Sequence, residues 1–143
     1  MDKTSIRDLA RAYFEDAWVP GRNLEKYVAD DVVRHSHGKP TAGIQALKDL
    51  NKLFHDLFSD WQLTLHDILC EGDKVAIRFT ITLTHAGEFR GYRPSGARLE
   101  VNGIDLFRVA GGKIVEQWAE VDFQHFMDQI REHSGDPVAS AAS

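Results

Sequence analysis

The carboxylate of Asp105 stands in a segment whose other residues are typical of a buried β-strand. Within residues 101–109, Phe107 lies two positions further on, so strand alternation places Asp105 on the same face as Phe107. A carboxylate on a core-facing side loses hydration, and its pKa rises unless a partner compensates. Such a group suits proton transfer near neutral pH. Two alternatives are that Asp105 points outward and that it pairs with Arg108 or Arg78.

Two histidines, His35 and His37, form an H-x-H pair in a polar loop predicted from His35 to Pro40. An imidazole can act as a base near neutral pH. The pair has no third ligand at a recognisable metal spacing, so the sequence predicts no metal site. It also lacks G-x-G-x-x-G, P-loop and C-x-x-C motifs, so we expect no cofactor.

Composition limits the class of protein. The 143 residues suffice for one domain, and a 43% apolar, 27% charged content is ordinary for a globular protein. A net charge of −5 without a Lys/Arg cluster argues against nucleic-acid binding. No apolar stretch is long enough to cross a bilayer or to form a signal peptide. With Cys70 as the single cysteine, we expect a cytoplasmic protein.

The first third of the chain has helical periodicity. Apolar residues spaced by three and four predict a helix over 6–17, which ends at Pro20-Gly21. A short second helix is predicted around Leu24–Val28, followed by the polar loop. A third helix fits residues 44–57.

From Trp61 the apolar period changes to two. The sequence predicts a strand from Trp61 to a turn at Glu71–Asp73, and a second strand over residues 75–83. After an excursion over Gly87–Gly96, two further strands are predicted over residues 99–109 and 114–121. A closing helix follows over residues 123–130. Helices followed by hairpin-linked strands predict a single α+β domain over residues 1–134, with a flexible tail over 135–143.

Two stretches in the second half resemble the SnoaL-like polyketide cyclases. Residues 84–96 contain T-H-A-G-E-F-R-G and then P-S-G, which is similar to the family pattern TH-x-G-x-F-x-G…P-x-G. Residues 108–118 read R-V-A-G-G-K-I-V-E-Q-W and are followed by Asp122, similar to R-x-x-x-G-K-I-x-E-x-W…D. Residues 43–47 resemble the family's G-x-x-A-L helix start. The resemblance runs from about Ile6 to Ile130.

This resemblance implies a nuclear-transport-factor-2-like fold, a cone-shaped curved mixed β-sheet wrapped around N-terminal helices. It further implies a cofactor-free enzyme that acts by acid/base proton transfer on a hydrophobic, carbonyl-containing small molecule, as polyketide cyclases and ketosteroid isomerases do. It also implies a homodimer. The fold alone leaves the function open, because members of this superfamily differ in reaction.

The resemblance suggests roles for individual residues. The Asp105 segment resembles the V-I-D-x-x-R-F segment of ketosteroid isomerases, in which a protonated aspartic acid donates a hydrogen bond to the substrate oxyanion. Tyr13 takes the place of an isomerase tyrosine that serves the same oxyanion, although a core tyrosine is an equal alternative. His35 is expected in the pocket wall as the catalytic base.

The remaining candidates are substrate-binding residues. His85 belongs to the TH-x-G stretch, where it either contacts substrate or holds the following loop. Trp118 lies in the E-x-W stretch, where packing is the alternative role. The comparison puts Gln117 and Ala119, rather than Trp118, on the pocket side.

The sequence departs from the cyclases at Ala119, which occupies the position of their general acid/base aspartate. Asp122 matches a later aspartate and is expected to cap the last helix. An alternative function is therefore a non-catalytic small-molecule-binding domain of the same fold. A further alternative is a dimerisation module that uses Ile104, Leu106 and Val121.

Overall fold

Helical segments occupy the first third and the end of the chain. A computed structural model describes residues 3–138. It contains α1 (Lys3–Ala12), which continues as a π-helical segment (Tyr13–Trp18), followed by α2 (Leu24–Tyr27), α3 (Ile44–Leu57) and α4 (Phe123–Ser134). The helical periodicity of the sequence accounts for these elements, and the buried residues Tyr13, Phe14 and Ala17 lie in the π-helical segment. Helices α1, α3 and α4 all pack against the sheet.

Six strands form one mixed sheet. They are β1 (Val28–His35), β2 (Thr41–Ala42), β3 (Phe58–Glu71), β4 (Lys74–His85), β5 (Arg98–Ala110) and β6 (Lys113–Val121). Their order across the sheet is β2-β1-β6-β5-β4-β3, and only the β1–β6 pair is parallel among the strands described. The prediction of an α+β fold with a curved mixed sheet and N-terminal helices is confirmed.

The strand β1 was not predicted from the sequence, which placed a helix and then a loop in this region. Val28 and Val32 are buried, but Asp30 and Asp31 are exposed between them. The pairing of β1 with β6 also shifts register between Val28 and Val33. A bulge of this kind breaks the period of two that identifies a strand.

The inner face of the sheet supplies most of the core. Along β4, buried residues alternate from Val75 to His85, and the sequence predicted this alternation over residues 75–83. The ring of Phe79 packs closely over β5, because a Cβ at Gly103 would lie 2.7 Å from Phe79 Cζ. This close approach brings an aromatic ring against the concave face of the sheet.

Hydrogen bonds hold the start of α4 and the chain that follows this helix. Asp122 caps the helix as expected, since its side chain accepts from the His125 N–H at 3.1 Å. Beyond α4, the Val138 N–H donates to the Gly91 carbonyl at 2.5 Å. Residues 139–143 of the predicted tail lie outside the described residues. No helix within residues 3–138 is long and apolar enough to span a membrane.

Candidate active site

A cavity of about 370 Å³ lies between the concave face of the sheet and the helices. Most of its wall is apolar. The aromatic lining residues are Phe14, Trp18, Phe54, Phe58, Trp61, Phe79, Phe89, Phe123 and Phe126, and the aliphatic ones are Leu50, Leu53, Ile81, Leu83, Val101, Ala119 and Val121. A cavity of this size and lining is typical of a site for a small apolar molecule.

Six polar side chains interrupt this wall, namely Arg34, Ser36, His37, Arg90, Asp105 and Gln117. Asp105 and Gln117 are buried, whereas His37 and Arg90 are exposed. The cavity therefore has a buried polar end at Asp105 and an opening at His37 and Arg90.

Asp105 lies at the centre of the sheet, between Ile77 on β4 and Ala119 on β6. Its side chain is 4% exposed. The Gln117 Nε2 donates to Asp105 Oδ2 at 3.0 Å, while Asp105 Oδ1 is buried without a hydrogen-bond partner among residues 3–138. Gln117 thus orients one carboxyl oxygen, and the other is buried with no partner of standard hydrogen-bond geometry among residues 3–138.

Burial raises the pKa of Asp105 to about 7. The hydrogen bond from Gln117, the positive charge of Arg34 and the backbone N–H of Glu120 oppose this shift but do not cancel it. A carboxyl group with this pKa is present in both protonation states near neutral pH, so it can both accept and donate a proton.

Arg34 brings a permanent positive charge to the same region. Its guanidinium lines the cavity, and its Nε is buried with no hydrogen-bond partner in the described part of the chain. Its charge lowers the pKa of both Asp105 and Tyr13, which indicates that the three groups lie close together. A buried donor without a partner is costly, and a ligand oxygen would satisfy it.

Tyr13 lies behind the cavity wall rather than on it. Its ring packs against Phe14 and Phe107, with centroids 5.2 and 5.3 Å away. The hydroxyl is buried and makes no hydrogen bond of standard geometry within residues 3–138. Burial raises the pKa of Tyr13, and the nearby Asp105 carboxylate raises it further. Tyr13 can therefore influence Asp105 but does not line the cavity.

His35 and Trp118 do not line the cavity, so His35 is not in the pocket wall as predicted and Trp118 takes the alternative packing role. His35 pairs with Trp118 across β1 and β6, and their rings stack at 5.1 Å on the outer face of the sheet. There His35 Nε2 lies 2.7 Å from Glu116 Oε2, and the Arg108 Nε donates to Glu116 Oε1 at 3.1 Å. Because β1 is a strand, Arg34 and not His35 takes the inward position.

His85 is buried beneath the cavity wall and does not line it. Its ring stacks on Phe58 at 5.6 Å, and burial lowers its pKa. Its backbone N–H donates to the Ala97 carbonyl, and its own carbonyl accepts from the Gly96 N–H, both at 3.0 Å. The predicted substrate contact is thus replaced by the alternative role, which is to close the loop between β4 and β5.

Gln117 lines the cavity beside Asp105, whereas Arg34 and Arg90 were not identified from the sequence. The inward position of Arg34 could not be predicted, because the sequence analysis did not predict the strand β1. Arg90 stands in the Gly87–Gly96 excursion, whose position over the cavity depends on contacts between distant segments. Among the residues described, no group of three or more His, Cys, Asp or Glu side chains could hold a metal ion.

Comparisons with known proteins agree with this geometry. Solved structures similar to the chain include AclR from Streptomyces galilaeus, with 26% identity over 95% of this chain and 87% of that chain and a TM-score of 0.82. Wild-type IdmH from Streptomyces antibioticus has 28% identity over 87% of this chain and 97% of that chain, with a TM-score of 0.76. TsrD from Streptomyces laurentii has 26% identity over 91% and 97%, with a TM-score of 0.80.

A comparison with curated proteins gives no match. The family model described as SnoaL-like polyketide cyclase matches residues 6–130, which include every strand and most of each helix. The chain therefore belongs to the SnoaL-like polyketide cyclase family.

Proposed function

We propose that this protein transfers a proton beside the carbonyl group of a hydrophobic small molecule, with Asp105 as the acid/base group. The observation that carries the proposal is a buried carboxyl group in the wall of an aromatic cavity: Asp105 lines the cavity, and its Oδ1 has no partner of standard hydrogen-bond geometry among residues 3–138. A carboxyl group in such a place has a pKa suited to the reaction.

The proposed step begins with Asp105 ionised. Its Oδ1 takes a proton from the carbon next to the substrate carbonyl, and the electron pair of that C–H bond forms a C=C bond. The former carbonyl oxygen becomes negatively charged, and the Arg34 guanidinium stabilises it. Asp105 then returns the proton to the substrate, either to a different carbon of a conjugated enolate, which re-forms the C=O bond and moves a double bond in an isomerisation, or to the oxygen of a second carbonyl that the new enolate carbon has attacked. The second course closes a ring.

Gln117 supports this step as a positioning residue. Its Nε2 donates to Asp105 Oδ2 at 3.0 Å, which holds the carboxyl group in one orientation. His35 takes no part in the proposed step, because it is bonded to Glu116 on the outer face.

The proposal can be tested without knowing the natural substrate. 2-Tetralone is a compact aromatic ketone whose α-protons exchange with solvent through an enolate. In D2O buffer near pH 7, we expect the protein to accelerate deuterium incorporation into 2-tetralone, measured by proton NMR. A rate equal to that of the buffer, under conditions in which 2-tetralone binds in the cavity, would contradict the proposal.

Ala119 favours a second candidate function, a non-catalytic binding domain. Ala119 lies directly opposite Asp105 on β6 and faces the cavity, so the position offers no second acid. In that case Asp105 anchors a ligand by a hydrogen bond and transfers no proton. Ligand binding with no acceleration of exchange would favour this function.

We further propose that the protein forms a homodimer through the outer face of the sheet. A row of residues crosses this face from Leu69 through Ala76 and Leu106 to Trp118, and each is the register partner of the next. Leu69 is 69% exposed, and Ile104, beside the row, is 52% exposed. A second copy would cover this apolar surface. Val121 cannot contribute as the sequence suggested, since it lines the cavity.

We expect sedimentation velocity to show a dimer at micromolar concentration. The double variant Leu69→Lys/Ile104→Lys should sediment as a monomer, because two charges then face the interface. A monomeric wild-type protein, or a dimer that persists in the double variant, would refute this interface.

A further inference from the structure

Arg90 occupies the first position of a two-residue hairpin turn. The Phe89 N–H donates to the Tyr92 carbonyl at 3.0 Å, and the Tyr92 N–H donates to the Phe89 carbonyl at 2.8 Å. Between them, Arg90 has φ 49° and Gly91 has φ 86°. Turns with positive φ at both central residues favour asparagine, aspartate or glycine at the first of them. Arginine therefore stands here against the local backbone preference, which points to a use for its side chain.

The Arg90 guanidinium is held in place by aromatic rings alone. It lies 4.8 Å from the ring centre of Phe123 and 5.7 Å from that of Phe89, and both rings line the cavity. Its guanidinium forms no ion pair or hydrogen bond with any residue in the described range. Stacking on a ring restrains the plane of a guanidinium and leaves its N–H donors available.

The neighbouring groups distinguish Arg90 from other exposed arginines. The ring of His37, another lining residue at the opening, lies 5.6 Å from the ring of Phe123. Nearby Arg131, in contrast, already donates to Asp128 at 3.2 Å and to the Tyr92 hydroxyl at 3.1 Å. Arg90 is thus the cation at this opening that has donors to spare for a ligand.

The charge of the cavity differs from that of the whole chain. The chain carries a net charge of −5, yet the described lining contains two arginines and only one acid, Asp105. Burial keeps that acid partly protonated near neutral pH. The cavity therefore presents an excess of positive charge to its contents, and such a field favours an anion.

We propose that the ligand of this cavity is an amphiphilic anion, whose apolar ring system fills the aromatic interior and whose carboxylate or similar oxyanion binds Arg90 at the opening. This inference rests on the proposed use of the cavity and specifies the class of substrate. With the anion at Arg90, the apolar body extends towards Asp105, where the proton transfer takes place. A bidentate contact between guanidinium and carboxylate would fix this orientation.

A pair of fluorescent dyes tests the anion separately from the apolar body. The dyes are 8-anilino-1-naphthalenesulfonate and N-phenyl-1-naphthylamine, which share one ring skeleton and differ in the sulfonate. Their dissociation constants are measured by fluorescence titration with the wild-type protein and with Arg90→Asn. Asparagine suits the turn, so the fold should keep or gain thermal stability.

We expect Arg90→Asn to weaken binding of the sulfonate by about ten-fold and to leave binding of the neutral dye unchanged, because only a charge-assisted hydrogen bond is lost. The control variant Arg93→Asn removes an exposed arginine from the same excursion, outside the cavity lining, and should change neither constant. Two results would overturn the inference and leave the proposed proton transfer standing. In the first, Arg90→Asn binds the sulfonate dye with wild-type affinity; in the second, Arg90→Asn loses the same affinity for both dyes. Failure of the wild-type protein to bind either dye would overturn both.

Discussion

Replacing Asp105 with asparagine is expected to lower the rate of protein-dependent deuterium exchange into 2-tetralone by at least about 100-fold, which is the lower end of the usual contribution of a general acid/base group. Asparagine keeps the size of the side chain and an oxygen that can accept the Gln117 hydrogen bond. It cannot take a proton from carbon. The measurement is proton NMR in D2O, as for the wild-type protein.

A carboxylate outside the cavity provides the matched control. Asp67 is exposed on β3 and accepts from Arg78 Nε at 2.7 Å, so Asp67→Asn makes the same chemical change far from the proposed chemistry. This variant should exchange deuterium at the wild-type rate. If Asp105→Asn retains that rate as well, Asp105 is not the proton carrier.

The same Asp105→Asn substitution is expected to raise the free energy of unfolding at pH 8 by about 4 kcal/mol. The pKa of Asp105 rises from 3.8 to about 7 on folding, and each unit corresponds to about 1.36 kcal/mol. Between these values the folded state holds a proton that the unfolded state has released. The contribution of Asp105 to stability is therefore complete below pH 4 and is lost as the pH rises to 7.

Urea unfolding of both proteins from pH 4 to pH 8 measures this effect. The difference in unfolding free energy between Asp105→Asn and wild type should increase from pH 4 to about pH 7 and then remain constant. Taking the difference removes the contributions of other titrating groups that the two proteins share. A difference independent of pH would show that Asp105 is not a buried acid with a raised pKa.

The two results together would separate function from stability. A side chain whose removal stabilises the fold and stops the reaction is retained for its chemistry, because it contributes nothing favourable to folding at neutral pH. A structural carboxylate would show the opposite behaviour, since its replacement by asparagine would destabilise the protein.

The orientation of Asp105 could be predicted from the sequence because β5 alternates regularly around it. From residue 98 to residue 108 the pairing of β5 with β4 is continuous, so a period of two identifies the buried face. The inward orientation of Gln117 and Ala119 on β6 could be predicted from the same period of two. The register pairs Ala119 with Asp105. The sequence pattern was sufficient where the strand had no bulge.

The position of His35 could not be predicted, because it depends on a strand that has no clear sequence signal. A pair of exposed aspartates and a register shift separate Val28 from Val33 in β1. An error of one residue reverses the direction of every side chain in a strand. Because of this ambiguity of one residue, the sequence predicted His35 at the cavity, where the structure places Arg34.

Tyr13 and Arg90 show two further limits of sequence analysis. Tyr13 is on the apolar side of its helix as expected, but it begins a π-helical turn, whose wider spacing changes the direction of the following side chains. Arg90 reaches the cavity only because a hairpin after β4 lies against α4, which comes some thirty residues later in the chain. No local pattern encodes such a contact.

The pairing of Asp105 with Ala119 makes the protonation of Asp105 depend on the residue at position 119. Directly opposed side chains on neighbouring strands have Cβ atoms about 5 Å apart, so an aspartate at 119 would place a second carboxylate against the first. Two such acids in a buried site share one proton, and neither could then titrate independently. An acid at 119 would therefore couple its titration to that of Asp105, whereas Ala119 leaves Asp105 to titrate without a second carboxyl group on this side.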